Sequence, residues 1–238
     1  MMINIVKNIL SSNGYRQIDI ELQLDNQAFY LFCPSEESKR EEYFFAIQLK
    51  TQSDAAAQEI LEEKAQELFE AISNSGMVAR HFEKNCTMVI CQEESKISRK
   101  TILALEEDPY NFKKNVITYT IDELAAIKDY LFKIGENDIT NIIINNIINS
   151  DDGRDFLSFK HDQSKRTGYY SLILRTALKL PFITYSPQEQ QLTNLNSEIE
   201  NSLNPYQFSI YNRLMKSETE WTDENINQQV SNVWGSLA

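Results

Sequence analysis

Residues 28–49 read AFYLFCPSEESKREEYFFAIQL, and they contain two apolar runs separated by a charged loop. The runs 28–33 and 43–49 are rich in aromatic residues and have the length of buried strands. Ahead of them, residues 18–24 alternate apolar and polar side chains, which is typical of a half-buried strand. Because short polar connections join the three runs, the sequence predicts three consecutive strands in an antiparallel meander.

Helical patterns flank this meander on both sides. Residues 3–12 have apolar side chains at helical spacing and end at Asn13-Gly14, a helix-terminating signal. Residues 54–73 form an amphipathic helix with an acidic outer face, and 87–91 form a short apolar strand. The order α-β-β-β-α-β predicts a sheet-containing α+β domain over residues 1–95.

The remainder of the chain, residues 96–238, is predicted to be a mostly helical domain. Thr120-Ile121-Asp122-Glu123 forms a capping box, the pattern that opens a helix. Polar residues 150–165 predict a loop. Predicted helices cover 98–106, 120–134, 169–180, 187–203 and 222–234. The isoleucine-rich run 138–148 is also predicted as a helix, with a strand as the alternative because β-branched side chains suit both. The predicted fold class is therefore α+β, with a sheet domain followed by a helical half.

Charge and cysteine content narrow the class of function. The chain has 238 residues and a formal net charge of -12, whereas a duplex binder needs a basic face for the phosphates. A DNA-contacting adaptor therefore stays a minor alternative, with any DNA contact indirect or made through a complex. The three cysteines form no C-x-x-C pair and histidines number two, so we expect a reducing compartment and no zinc site.

The apolar runs are too short to cross a membrane, which requires about 18 consecutive apolar residues. The amino terminus also lacks the small-residue cleavage site of a signal peptide. The expected location is the cytoplasm. Phosphate-binding loops, nucleophile elbows and H-E-x-x-H helices are absent from the sequence. We therefore predict no catalytic residue, no bound metal and no cofactor.

One alternative is enzymatic, because the order α-β-β-β-α-β resembles the restriction-endonuclease-like core. In that family an acidic residue and an E-x-K or Q-x-K motif on neighbouring strands hold a divalent metal. Gln48-Leu49-Lys50 lies at the end of the third predicted strand, and Asp25 or Glu37 would have to supply the acid. The glutamine and the poorly placed acids depart from the family pattern, so a degenerate core is the expectation on this alternative.

The most distinctive stretch is residues 103–120, LALEEDPYNFKKNVITYT. An acidic triplet meets a proline in Glu106, Glu107, Asp108 and Pro109, and aromatic and basic residues follow in Tyr110, Phe112, Lys113 and Lys114. Two interpretations are open. The segment is either a helix end and a proline turn with aromatics that cover the core, or a set of aromatic anchors at a protein interface.

Residues 106–110, followed by Phe112-Lys113-Lys114 and Val116, resemble the middle components of bacterial ABC three-component systems. The strand-rich start and the acidic helix after it look similar too, so the resemblance spans about the first half of the chain. This sequence departs from the pattern at Asn111 and Asn115, where aromatics are expected. The resemblance implies an accessory subunit without catalytic residues of its own.

Such subunits are encoded between an ABC or SMC-like ATPase and a further component, and Lamassu-like phage defence is built on the same plan. The resemblance implies that the subunit holds the ATPase near its head domains and helps to regulate an effector, often a nuclease. The candidate partner-binding residues are Tyr110, Phe112, Lys113, Lys114, Tyr206, Phe208 and Tyr211. For each aromatic residue, packing into the core is the competing interpretation.

Overall fold

The structure is a computed structural model that describes residues 1–22, 27–161, 168–186, 195–215 and 222–234. The chain divides into two compact units, Met1–Pro187 and Gln188–Ala238. The first unit contains the sheet, and the second contains only helices within its described ranges.

The first unit is built on a five-stranded sheet in the order β1-β2-β3-β4-β5. The strands are β1 Tyr15–Ile18, β2 Gln27–Pro34, β3 Tyr43–Leu49, β4 Cys86–Glu93 and β5 Lys113–Tyr119. Strands β1, β2 and β3 pair antiparallel, which confirms the predicted meander, whereas β3, β4 and β5 pair in parallel. The sheet is therefore mixed, and the predicted α+β class is confirmed.

Helices α1 to α9 belong to the first unit, and α10 to α12 belong to the second. Their bounds are α1 Met2–Ser11, α2 Asp54–Glu59, α3 Ala65–Asn74, α4 Phe82–Asn85, α5 Arg99–Glu107, α6 Ile121–Ile134, α7 Asn141–Ile148, α8 Arg154–His161, α9 Tyr169–Lys179, α10 Leu195–Ser202, α11 Pro205–Met215 and α12 Ile226–Trp234. A π-helical turn, Ile60–Lys64, joins α2 to α3, so the predicted acidic helix is one nearly continuous element.

Helices cover both faces of the sheet. One core lies between the sheet and α1, α6, α7 and α9, and its strand residues include Phe44, Val89 and Ile117. The other core lies between the sheet and α2 to α5, and it includes Phe45 and Ile90. Because successive strand residues point to opposite faces, burial on both sides explains why these strands read as continuous apolar runs.

The sheet extends beyond the predicted boundary at residue 95. The sequence analysis expected mostly helices there, yet Lys113–Tyr119 is the fifth strand and pairs with Cys86–Glu93. Helix α5 connects these two parallel strands, as a parallel pair requires a crossover connection. The division between the two compact units falls at 187/188 instead, because β5 and the helices after it complete the cores on the sheet.

Two local predictions also differ from the structure. The first strand begins at Tyr15 and not at Ile18, because pairing with β2 starts directly after Gly14, whose carbonyl oxygen accepts the Ser35 N–H at 2.9 Å. Part of the predicted loop 150–165 is helix α8. The segments 23–26, 162–167 and 187–194 lie outside the described residues, so the predictions for them are not compared.

Candidate functional site

The loop 108–112 connects the end of α5 to the start of β5. It lies at the amino-terminal edge of the parallel strands, where Thr87 of β4 pairs with Lys113 of β5. Asp108 has an extended backbone and precedes Pro109, which disfavours helical geometry in the residue before it. The predicted helix end and proline turn are thus present.

Lys114 organises this loop from the inside. Its side chain is fully buried, and its ammonium group forms an ion pair with the Asp108 carboxylate. The same group donates to the carbonyl oxygens of Tyr110 at 2.7 Å and Phe112 at 3.4 Å. A lysine ammonium has three N–H donors, so the loop satisfies all of them. The prediction that Lys114 contacts a partner is corrected, because its side chain points into the interior.

Phe112 is also an interior residue. Its ring lies 5.9 Å from that of Phe45 and 5.2 Å from that of Phe69, measured between ring centroids. The ring of Phe82 lies 6.3 Å away at a nearly perpendicular angle. Such edge-to-face contacts are favourable arrangements of aromatic rings. Phe112 therefore belongs to the core between the sheet and α2 to α5, which corrects its assignment as a surface contact.

Glu106 stabilises the same region from the side. Its carboxylate accepts the Val116 N–H at 2.9 Å and pairs with the Lys179 ammonium at 2.6 and 2.7 Å. The Arg175 guanidinium donates to the Thr118 carbonyl oxygen at 3.2 Å. Because β5 is an edge strand, these side chains occupy backbone groups that would otherwise be open to another strand.

The side chains that remain at the surface are Glu107, Pro109, Tyr110, Asn111 and Lys113. Tyr110 is the most prominent, with 72% of its surface exposed. Asn111, between the exposed Tyr110 and the buried Phe112, has φ +63°, a left-handed conformation that asparagine tolerates better than most residues. The departure from an aromatic at this position is therefore compatible with the turn.

A polar cleft of about 620 Å³ lies beside the loop. It is lined by α4, by the first residues of β4 and by the end of α5, and it contains charged side chains of both signs. Glu83, Lys84, Glu107 and Lys113 line it without an ion-pair partner in the part of the chain that the structure describes. These charges are available to a binding partner.

The other predicted contact residues lie in α11, in the second unit. Tyr206 and Phe208 are exposed, and Tyr211 is half-buried. The sequence analysis did not predict that these residues share a helix, although Asn204 before Pro205 is a helix-capping signal: its side-chain oxygen accepts the Gln207 N–H at 2.8 Å.

Gln48 is occupied by structural contacts. Its side-chain oxygen accepts the Ile3 N–H at 2.9 Å, and its side-chain nitrogen donates to the Tyr119 hydroxyl at 2.7 Å. The Ile3 N–H belongs to the first turn of α1, where backbone donors have no partner within the helix. Gln48 thus joins α1, β3 and β5, and its amide is directed into the core and not toward a surface metal.

The acids considered for a nuclease do not converge with Lys50 within the described ranges. Glu37 follows β2 and lies near the start of β3, whereas Lys50 follows the end of β3. A seven-residue strand separates them by roughly 20 Å. Asp25 lies outside the described residues. In the ranges that the structure describes, no three histidine, cysteine or acidic side chains are grouped as a metal site.

A row of three asparagines, two in α7 and one directly after it, was not predicted from the sequence. The Asn141 and Asn145 side chains donate to the Thr184 carbonyl oxygen at 3.1 and 2.8 Å. Asn145 also accepts the Ser186 N–H at 2.6 Å, and Asn149 donates to the Ser186 carbonyl oxygen at 3.0 Å. Their i, i+4, i+8 spacing places them on one helix face and was the available signal.

Each described helix is part of the sheet-containing unit or of the helical unit. None of them combines the length and the apolar composition that crossing a bilayer requires.

Residues 42–147 match the model of the family described as ABC-three component (ABC-3C) system Middle Component 1. No curated protein and no solved structure matched the chain. The matched segment runs from just before β3 into α7 and includes the whole loop 108–112. The predicted resemblance to the middle components of ABC three-component systems is therefore confirmed over residues 42–147.

Proposed function

We propose that this chain is a non-catalytic accessory subunit that binds an ABC or SMC-like ATPase. In that role it helps to assemble or regulate a bacterial anti-phage defence complex of the Lamassu-like kind, in the cytoplasm. The effector subunit of the same system is the second proposed partner. Any contact with DNA is made through the complex.

The exposed Tyr110 side chain carries this proposal. Its loop lies within the segment that matches the middle components, and the loop is held by the buried contacts of Lys114 and Phe112. A rigid loop loses little conformational entropy when it binds, so an aromatic ring presented in this way suits an interface anchor. Tyrosine is also among the residues enriched at binding hot spots.

The charged cleft next to the loop suits the rim of such an interface. Glu107 and Lys113 lie three residues before and after Tyr110 in the sequence, and they line the cleft together with Glu83 and Lys84. Partly solvated charges around an aromatic anchor favour orientation and specificity more than affinity. The proposed contact is therefore a tyrosine anchor with a charged surround.

The contacts of Gln48 favour a non-catalytic role. The amide is held by Ile3 and Tyr119, so its use as a metal ligand would cost two buried hydrogen bonds. Incubation of the purified chain with DNA and Mg²⁺ tests this part. We expect no cleavage; cleavage that is lost in Lys50→Ala would overturn the non-catalytic assignment.

The binding proposal is tested by co-expression with an ABC or SMC-like ATPase subunit of the same system. We expect the tagged chain to retain the ATPase through affinity and size-exclusion steps, and Tyr110→Ala to reduce the retained amount at least tenfold. Phe132→Ala is the matched control, since Phe132 is an even more exposed aromatic residue, at 87%, within the same matched segment. Equal retention by wild type and Tyr110→Ala would contradict the assigned contact, and no retention by wild type would contradict the function.

A further inference from the structure

We draw no further inference here: the strongest candidate, the apolar groove of about 320 Å³ in the first unit that is lined by Phe156 of α8, by Leu174 and Leu178 of α9 and by Tyr185, carries nothing, because nothing in the structure shows what covers it.

Discussion

The two edges of the parallel part of the sheet contain similar polar residues and use them differently. At the amino-terminal edge, the loop 108–112 turns its polar contacts inward around Lys114 and leaves Tyr110 in solvent. At the carboxyl-terminal edge, Gln48 and Gln52 both contact the Tyr119 hydroxyl, at 2.7 and 3.0 Å. The contacts at the amino-terminal edge leave Tyr110 exposed, whereas those at the carboxyl-terminal edge connect α1, β3 and β5.

The difference shows that the partner of a polar side chain decides its role. Gln48-Leu49-Lys50 has the residue types of a metal site, yet the glutamine amide is consumed by contacts within the chain. The 106–114 stretch has the residue types of an ordinary helix end, yet the buried contacts of Lys114 hold the loop in which the Tyr110 ring is exposed. The following predictions test this comparison, from the largest expected effect to the smallest.

Removal of the Phe112 ring should have the largest effect on folding. Phe112→Ala leaves a cavity among Phe45, Phe69 and Phe82, so we expect the free energy of unfolding to fall by about 3–5 kcal/mol. Urea denaturation measures this change. The matched control is Tyr110→Ala, which should stay within about 0.5 kcal/mol of wild type because the ring is exposed. Equal losses of unfolding free energy in Phe112→Ala and Tyr110→Ala would contradict the assignment of Phe112 to the core and of Tyr110 to the surface.

Substitutions of the adjacent residues Lys113 and Lys114 should differ sharply in their effect on stability. Lys114→Met leaves the Asp108 carboxylate and two loop carbonyl oxygens without their cation, at an expected cost of about 3 kcal/mol. Lys113→Met changes an exposed side chain and should alter stability by less than about 0.5 kcal/mol. Both values come from the same denaturation experiment. A stable Lys114→Met variant would show that the loop does not depend on the buried ammonium.

At the other edge, Gln48→Ala should cost about 2 kcal/mol. The substitution leaves the Ile3 N–H and the Tyr119 hydroxyl with one hydrogen bond fewer in the core. Hydrogen exchange of the first turn of α1 reports this change locally, and the Ile3 amide should lose protection. Undiminished protection would indicate that Gln48 does not hold α1.

The smallest effect is a loss of stability at alkaline pH. Burial raises the pKa of Tyr170 to about 12, and burial also raises the pKa of Tyr119 above its ordinary value of 10.0. Above pH 10 the unfolded chain loses these protons while the folded chain keeps them, so the stabilisation is complete below pH 10 and declines toward pH 12. Melting temperatures across this range measure the decline, which Tyr170→Phe should reduce. A melting temperature that does not change between pH 10 and pH 12 would contradict the raised pKa values of Tyr170 and Tyr119.

Elements set by local signals could be predicted from the sequence. The capping box at Thr120 is present, with the Thr120 hydroxyl accepting the Glu123 N–H at 3.2 Å and the Glu123 carboxylate accepting the Thr120 N–H at 2.9 Å. The meander follows from strand runs joined by short connections. Such features depend on interactions between residues that are close in sequence, so they can be predicted without knowledge of the fold.

Features set by distant partners could not be predicted. Strand β5 was missed because its burial depends on β4 and on helices that come later in the chain. The Arg175 Nη2 group, 52 residues away, also donates to both carboxylate oxygens of Glu123, at 2.9 and 2.8 Å. No local pattern records such a contact.

The candidate site was predicted in part. The stretch was recognised, and Tyr110 and Lys113 lie at the surface as an interface requires. The burial of Phe112 agrees with the alternative in which the aromatics cover the core, whereas the burial of Lys114 was not predicted, because the sequence does not show whether a lysine in a polar loop faces solvent or core. Asn111, whose backbone is left-handed, lies between the exposed Tyr110 and the buried Phe112. The sequence alone did not reveal this backbone conformation.

The most direct test of the account is the affinity of the purified chain for the ATPase subunit, measured by calorimetric titration with wild type and Tyr110→Ala. We predict that Tyr110→Ala weakens binding by a factor of about 30 or more at unchanged stability, as expected for an aromatic anchor. Identical affinities for the two proteins would contradict the claim that the loop exists to present this ring.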